Sequence, residues 1–537
     1  MDSGHLRRKR TVLKALCAGV GLASLVWWLV RVIPKPSRAA YPCQRAAAPL
    51  ASGFVLWAAG TLASVSVFRR AKALWKRLRP VLALVCLLVV ATLTIAALVG
   101  AGQPSPQATT PAPNQPIGVG KGVHPGRVVW VHDPSAATWE GLGQGHWWED
   151  KYTNQAAVAG MMSGAIRRLT GARNDKGAWD ALFKHFNREH GRGKVGYKKG
   201  EKVTIKVNLV GTIAGGKQVD PQTYELVRQL DYMNTSPQMI VALLRQLVHV
   251  AGVRQEDIAV GDPLSLFPNQ YYDICRREFP NVRYLDYAGG NAEHPRTRIE
   301  PSSIPFYWSS RPADKTQDYV PAPYAEAKYF INMANLKAHT MAGVTLCGKN
   351  HYGSLFRRPP EKGYYNMHES LPRVAPGSGH YRALVDLMGH AHIGGKTLVY
   401  FIDGLYPGVH PSEQTPRKFA SPPFNGHWAS SLFASQDAVA IDSVAFDFLW
   451  AEWKDHPHMS GADDYLHEAA LANNPPSGTF YDPDHPTNTT RLASLGVHEH
   501  WNNPTDRQYS RNLGKKEGIE LVTWRVAPAE GKKAGSR

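Results

Sequence analysis

Cysteine is scarce in this chain: five in 537 residues, with no Cys-x-x-Cys pair anywhere. Iron-sulfur clusters and zinc ribbons need clustered thiolates, so neither is expected. Cys17 and Cys86 fall inside apolar runs, and Cys43, Cys275 and Cys347 are too few and too dispersed to define a disulfide framework or a redox compartment. Also missing are the Gly-x-Ser-x-Gly of a serine hydrolase, a Gly-x-Gly-x-x-Gly following a strand, and a phosphate-binding P-loop. Each of these sets a nucleophile or a row of backbone amides against a substrate, so the common hydrolase and nucleotide mechanisms have no foothold here.

Negative charge is missing locally. The formal net charge is +19, but the first hundred residues alone hold fifteen Lys and Arg against Asp2, and the rest of the chain is close to neutral. A basic face distributed over a folded domain is therefore absent, and no nucleic-acid partner is expected. The basic residues instead bracket three apolar runs, Ala15 to Val30, Leu50 to Phe68 and Val81 to Gly100, the last two long enough to span a bilayer unaided. We expect three membrane helices at about 11–33, 50–68 and 81–100, with the lipid bilayer as partner. Lys and Arg resist translocation, so the clusters Arg7 to Lys14 and Arg69 to Arg79 are assigned to the cytoplasm and everything after Gly100 to the outside. The loop Arg31 to Arg45, with four positive charges, opposes this topology. Arg8-Lys9-Arg10 ahead of an apolar run also looks like a twin-arginine export signal with one Arg replaced, which sends the domain to the same side.

Residues 101–120 are rich in Pro, Gln, Thr and Ala and read as an extended linker. From 121 to 450 short apolar runs alternate with helical patterns, which argues for an α/β domain with a largely parallel sheet and flanking helices. Expected strands are Val128–His132, Val203–Leu209, Ile258–Val260, Val282–Leu285, Tyr329–Met333 and Leu398–Ile402. Expected helices are Pro237–Val250, capped by Ser236, Tyr381–Met388 and Ala438–Trp450. Residues 451–537 are polar and rich in Asn, Pro and His, and are expected to wrap the core.

The apolar runs repeatedly end in polar residues: Asp133, then Lys206 and Asn208, Asp262, Lys337 and His339, and Asp403. In a parallel sheet these ends converge, and ligands collect there. Lys349 and Asn350 follow directly behind the same strand as Lys337. Lys206, Lys337 and Lys349 suit a carboxylate or phosphate, and His339 or a lysine with a lowered pKa suits proton transfer. We take His339 and Lys337 as candidate catalytic residues, and Lys206, Asn208, Lys349, Asn350, Asp262 and Asp403 as candidate binding residues. Asp437 and Asp442 are candidates for orienting them. The bland alternative is that the same Lys and Asp residues neutralise one another as structural pairs. His390-Ala391-His392 and Asp464-x-x-His467 offer metal-ligand types, but no triplet has the spacing of a known zinc class, and the metal is left open.

Seven stretches carry a family resemblance: IKVNLV at 205–210, NTSPQMIVALLRQLVHVAGV at 234–253, AVGD ending at Asp262, NLKAH ending at His339, GVTLCGKNHYG at 343–353, FIDG at 401–404, and SQDAVAIDSVAFDFL at 435–449. With these the chain resembles the DUF362 family, which is defined by sequence and has no established general activity. Many relatives carry ferredoxin-like cysteine clusters beside this domain. This chain has none, so the resemblance implies the core but no electron transfer. The combined expectation is a membrane-anchored, extracytoplasmic protein with a small anionic ligand, acting by Lys/His acid–base chemistry. The alternative is a module that holds a cofactor, metal or envelope ligand without turnover.

The topology is tested by reporter fusions. A phosphatase reporter joined after Gly120 should be active and one joined near Lys72 inactive; the reverse pattern overturns the assignment.

Overall fold

The apolar runs become the strands of one sheet. The structure, a computed structural model, describes residues 112–526 apart from 213–217, 228–230, 314–316, 356–364 and 411–414, together with positions 26, 27 and 30. Apart from those three positions, the expected membrane segments lie outside the described residues. Among the described residues no helix is long and apolar enough to cross a membrane. The chain divides after Thr109 into two units, and the second, from Thr110 onward, holds the sheet.

This main sheet contains β1 (Arg127–His132), β2 (Val203–Lys206), β3 (Ile258–Gly261), β4 (Arg283–Asp286), β5 (Thr297–Arg298), β6 (Tyr329–His339), β7 (Gly343–Thr345), β8 (Thr397–Gly408), β9 (Ser431–Ser435) and β10 (Glu520–Arg525). Their order is β10-β1-β9-β8-β6-β2-β3-β4-β5, with β7 folded back on β6. Neighbours are parallel except where β9 runs between β8 and β1 and where β7 meets β6. The sheet is therefore largely parallel, as its unbroken apolar runs require for burial on both faces.

Side chains alternate between two cores. Val129, Val131, Val203, Ile205, Ile331 and Met333 pack on one face against helices α1 (Gln155–Thr170), α2 (Asp175–Glu189) and α3 (Pro237–Arg245). Val128, Trp130, Phe330, Ala334 and Phe433 pack on the other against α4 (Ala383–Gly389), α5 (Ala438–Trp453) and α6 (Asp464–Ala470). Ser236 caps α3 as expected, accepting from the Met239 amide at 3.1 Å. The α-helical geometry expected as far as Val250 stops earlier, because the helix widens into a π turn over Gln246–Val250. Helix α5 is buried at every position from Ala438 to Leu449, which accounts for its almost uninterrupted apolar sequence.

Other segments differ from the sequence reading, and β2 ends at Lys206, short of the expected Leu209. Strands β6 and β8 continue well past Met333 and Ile402, carrying their polar residues within the sheet rather than just beyond it. Ile117–Gly118, in the stretch read as linker, pairs antiparallel with Val497–His498, and the Asn114 amide donates to His500 O at 2.9 Å.

A chain beginning at Thr110 should unfold cooperatively. One beginning at Gly120 loses this pairing and should be less stable by about 1–3 kcal/mol, the worth of a few net backbone hydrogen bonds. Equal melting temperatures for the two would make the segment dispensable.

Candidate functional site

The chain turns in opposite directions around β2. From β2 it goes to β3, β4 and β5 on one side; it then returns to lay β6, β8 and β9 on the other. The carboxyl ends of β2 and β6 thus flank the point where strand order reverses, the place at which an open parallel sheet leaves a crevice. Lys206 is the last residue of β2, and Lys337 and His339 lie at the end of β6.

These ends are joined by amides. Lys206 Nζ lies 3.1 Å from Asp262 Oδ2 and donates to Asn350 Oδ1 at 3.1 Å and to Val207 O at 2.6 Å. Asn208 Nδ2 donates to the same Asn350 oxygen at 3.0 Å, while Asn208 Oδ1 accepts from Lys337 Nζ at 2.8 Å. Asn350 Nδ2 in turn donates to Asn332 Oδ1 at 2.8 Å. Lys206, Asn208, Lys337, Asn350 and Asp262 are therefore one connected, buried network. A Cβ on Gly353 would lie 2.6 Å from Asp262 Oδ1 and 3.1 Å from Lys206 Cε, so the absence of a side chain lets the 351–353 turn close over the ion pair.

Charge in the network is unbalanced. Asp262 sits against Lys206 and also accepts from the Leu209 amide at 3.0 Å. Lys337, fully buried, makes its hydrogen bond to an amide oxygen rather than to a carboxylate. Burial first, then the neighbouring Lys349, pushes the Lys337 ammonium well below the usual lysine range. Lys349 is half-buried over the Tyr352 ring, 3.8 Å from its centroid, and burial with the Lys206 charge lowers it to about 7.

His339 Nδ1 accepts from the backbone amides of Met341 at 3.0 Å and Ala342 at 3.3 Å. That nitrogen holds no proton, so the neutral ring carries its hydrogen on Nε2. Burial, followed by the lysines and His410, keeps the ring well below its usual pKa; the His410 ring lies 4.9 Å away. The end of β6 thus offers an amine and an imidazole whose pKa values are both lowered by burial, groups that suit proton transfer.

The aspartates divide. Asp403 bonds to backbone rather than to the lysines: it accepts from Ser236 N at 2.8 Å and Leu405 N at 3.0 Å, fixing the entry to α3. It acts on the network indirectly, since Thr235 beside that cap accepts from the Asn208 amide at 2.9 Å and donates to Asn335 at 3.0 Å. Asp442 accepts from Cys347 N and Gly348 N, both at 2.8 Å, and so orients the helical turn Cys347–Asn350. Asp437 caps α5 and Asp133 caps the turn at Ser135, both away from the network. His390 Nε2 faces the Pro305 carbonyl at 3.1 Å and its Nδ1 accepts from His392 N at 3.1 Å, so both its nitrogens are committed and the His-x-His pair is not a ligand pair.

Sequence reasoning passes over Asn332, Thr235 and Gly353. A signal is available for the first: Asn332 interrupts an apolar strand that is buried throughout, where an unpaired amide is costly. No curated protein matches the chain. The network residues, from Lys206 to Asn350, all lie within residues 203–447, which match the family model described as Domain of unknown function (DUF362).

Proposed function

We propose that this domain binds a small anion, carboxylate or phosphate in class, at the carboxyl ends of β2 and β6, and that it is an enzyme using Lys337 and His339 for proton transfer. The observation that supports this is the cluster of three lysines, Lys206, Lys337 and Lys349, around a single ion-paired carboxylate, Asp262. Buried amines without counter-charges are costly to keep protonated, and an arriving anion supplies the missing charge. Burial favours the uncharged amine of Lys337, the form that accepts a proton, and the hydrogen on His339 Nε2 is the one available to donate. We further place the domain outside the cytoplasm on a membrane anchor formed by the first hundred residues, a reading supported by their charge and apolar runs.

Native mass spectrometry of the purified full chain tests for a retained anion, and consumption of that compound separates an enzyme from a module that binds without turnover. Lys349→Ala and Lys337→Met should each weaken anion binding by about 1–3 kcal/mol, the value of a charged hydrogen-bond donor. Melting temperature should fall only slightly in Lys337→Met, because removing a buried amine that is costly to charge offsets leaving the Asn208 oxygen without its donor. A loss of stability matching the loss of binding would favour structural pairing instead.

The pH dependence has a definite sign. Lys349 loses its proton at about 7 in the free protein, and a bound anion favours the protonated form. Affinity for sulfate, whose own charge is constant in this range, should therefore be highest below pH 7 and fall as pH rises, approaching about tenfold per unit if one proton is taken up. A flat profile between about pH 6 and pH 8 removes Lys349 from the anion site.

A further inference from the structure

We propose that His498, His500 and Asp463 form a binding site for a first-row divalent cation, with zinc the natural probe, in the segment beyond the family-matched span. Among the described residues, these three are the group of His, Cys, Asp or Glu side chains whose ligand atoms all lie within 4.8 Å of one another. The site is separate from the lysine network and does not rest on its reading.

His498 and His500 alternate on an extended stretch, so both rings project to the same side. Both Nε2 atoms are buried and have no hydrogen-bond partner. A buried imidazole nitrogen left without a hydrogen bond is unusual, and two beside one carboxylate more so.

Their other nitrogens are committed in the manner that frees Nε2 for a metal. The Ser443 hydroxyl donates to Val439 O at 2.7 Å, so at 2.8 Å from His498 Nδ1 its oxygen accepts, and the His498 proton sits on Nδ1. Nε2 of the neutral ring then carries a lone pair. His500 Nδ1 lies 2.6 Å from Asp447 Oδ1, a carboxylate that orients a ligand histidine; the other Asp447 oxygen accepts from Trp501 N and Tyr509 OH. Orienting groups on both rings are the usual mark of metal-bound histidines.

The spacing agrees. His500 Nε2 and Asp463 Oδ2 are 3.4 Å apart, beyond a good hydrogen bond. Two ligands about 2.0–2.1 Å from a tetrahedral ion stand roughly 3.3–3.4 Å apart. Imidazole nitrogen with one carboxylate suits zinc and its first-row neighbours over magnesium or calcium. Asp464, which sequence spacing pairs with His467, turns instead to Arg382 at 3.1 Å; the neighbouring Asp463 faces the histidines. The His467 ring borders the site, 4.5 Å from that of His498.

Without a metal, His500 has a competing role. Burial lowers its pKa, but Asp447 and Asp463 raise it to about 10, so it can serve as an imidazolium between two carboxylates. The experiment separates the two. The full chain, stripped with chelator, is given equimolar zinc and passed through a desalting column. We expect about one zinc retained per chain, a raised melting temperature, and intense visible bands of tetrahedral type when cobalt replaces zinc.

His498→Gln, which leaves the His500–Asp447 pair in place, should abolish retention while the metal-free protein melts as the parent does. Ser443→Ala should weaken affinity by about 10–100-fold, the cost of losing an orienting partner. Failure of the parent chain to retain zinc or to change its melting temperature and cobalt spectrum would overturn the proposal and leave His500 as a structural imidazolium. So would retention that survives in the His498→Gln, His500→Gln double variant.

Discussion

The side-chain amide of Asn350 is the contact on which the switch-point site depends. Its oxygen receives Lys206 and Asn208 from the carboxyl end of β2, and its nitrogen donates to Asn332 on β6. Turned over, the amide would set donor against donor at Lys206 and acceptor against acceptor at Asn332, so its orientation is fixed by its partners. One side chain from a four-residue helical turn thereby locks together two strands from distant parts of the sequence and hands Lys337 its acceptor through Asn208. A buried network of this kind is stable when every member is satisfied, which this one approaches.

Helix α5 serves both parts of the molecule. Asp442 reaches the amides of the Cys347–Asn350 turn and receives the Tyr465 hydroxyl at 2.8 Å. Ser443 and Asp447, one helical turn apart and so on a shared face, meet His498 and His500. The helix begins within the family-matched span, which takes in both Ser443 and Asp447, while the histidines lie beyond it. The matched domain thus contributes the orienting groups and the C-terminal segment the imidazoles.

Much of the switch-point site is legible because strands have a period of two and because polar residues at the ends of buried runs need a reason to be there. Lys206, Asn208, Asp262 and Lys337 meet that criterion and share one network. Asp403 meets it too, yet serves as a cap, since a carboxylate after a strand can satisfy a following helix as readily as a ligand. Asn332 escapes because its role depends on what the Cys347–Asn350 turn places opposite it, which strand periodicity does not encode. The His498 and His500 pair escapes for a related reason. Asp463 precedes the first residue of α6, where helical spacing no longer says which way a side chain points, so the spacing selects the neighbouring Asp464 instead. The fold class is readable from alternation alone, whereas β10 is not, being a short strand in a polar tract that gains its place by pairing with β1 and by packing Trp524 under Arg168 of α1.

That last pairing has a bearing on how the domain is made. Strand β1 has β9 on one side and β10 on the other, and β10 lies nearly four hundred residues further along the chain. Until residues 520–525 emerge, one long edge of the sheet keeps its backbone amides and carbonyls open, in register to accept any extended segment that arrives. A nascent chain is therefore exposed to mispairing throughout synthesis of the domain, and a ribosome stalled or a message truncated upstream of Glu520 would release a molecule with a nearly complete core and an adhesive rim.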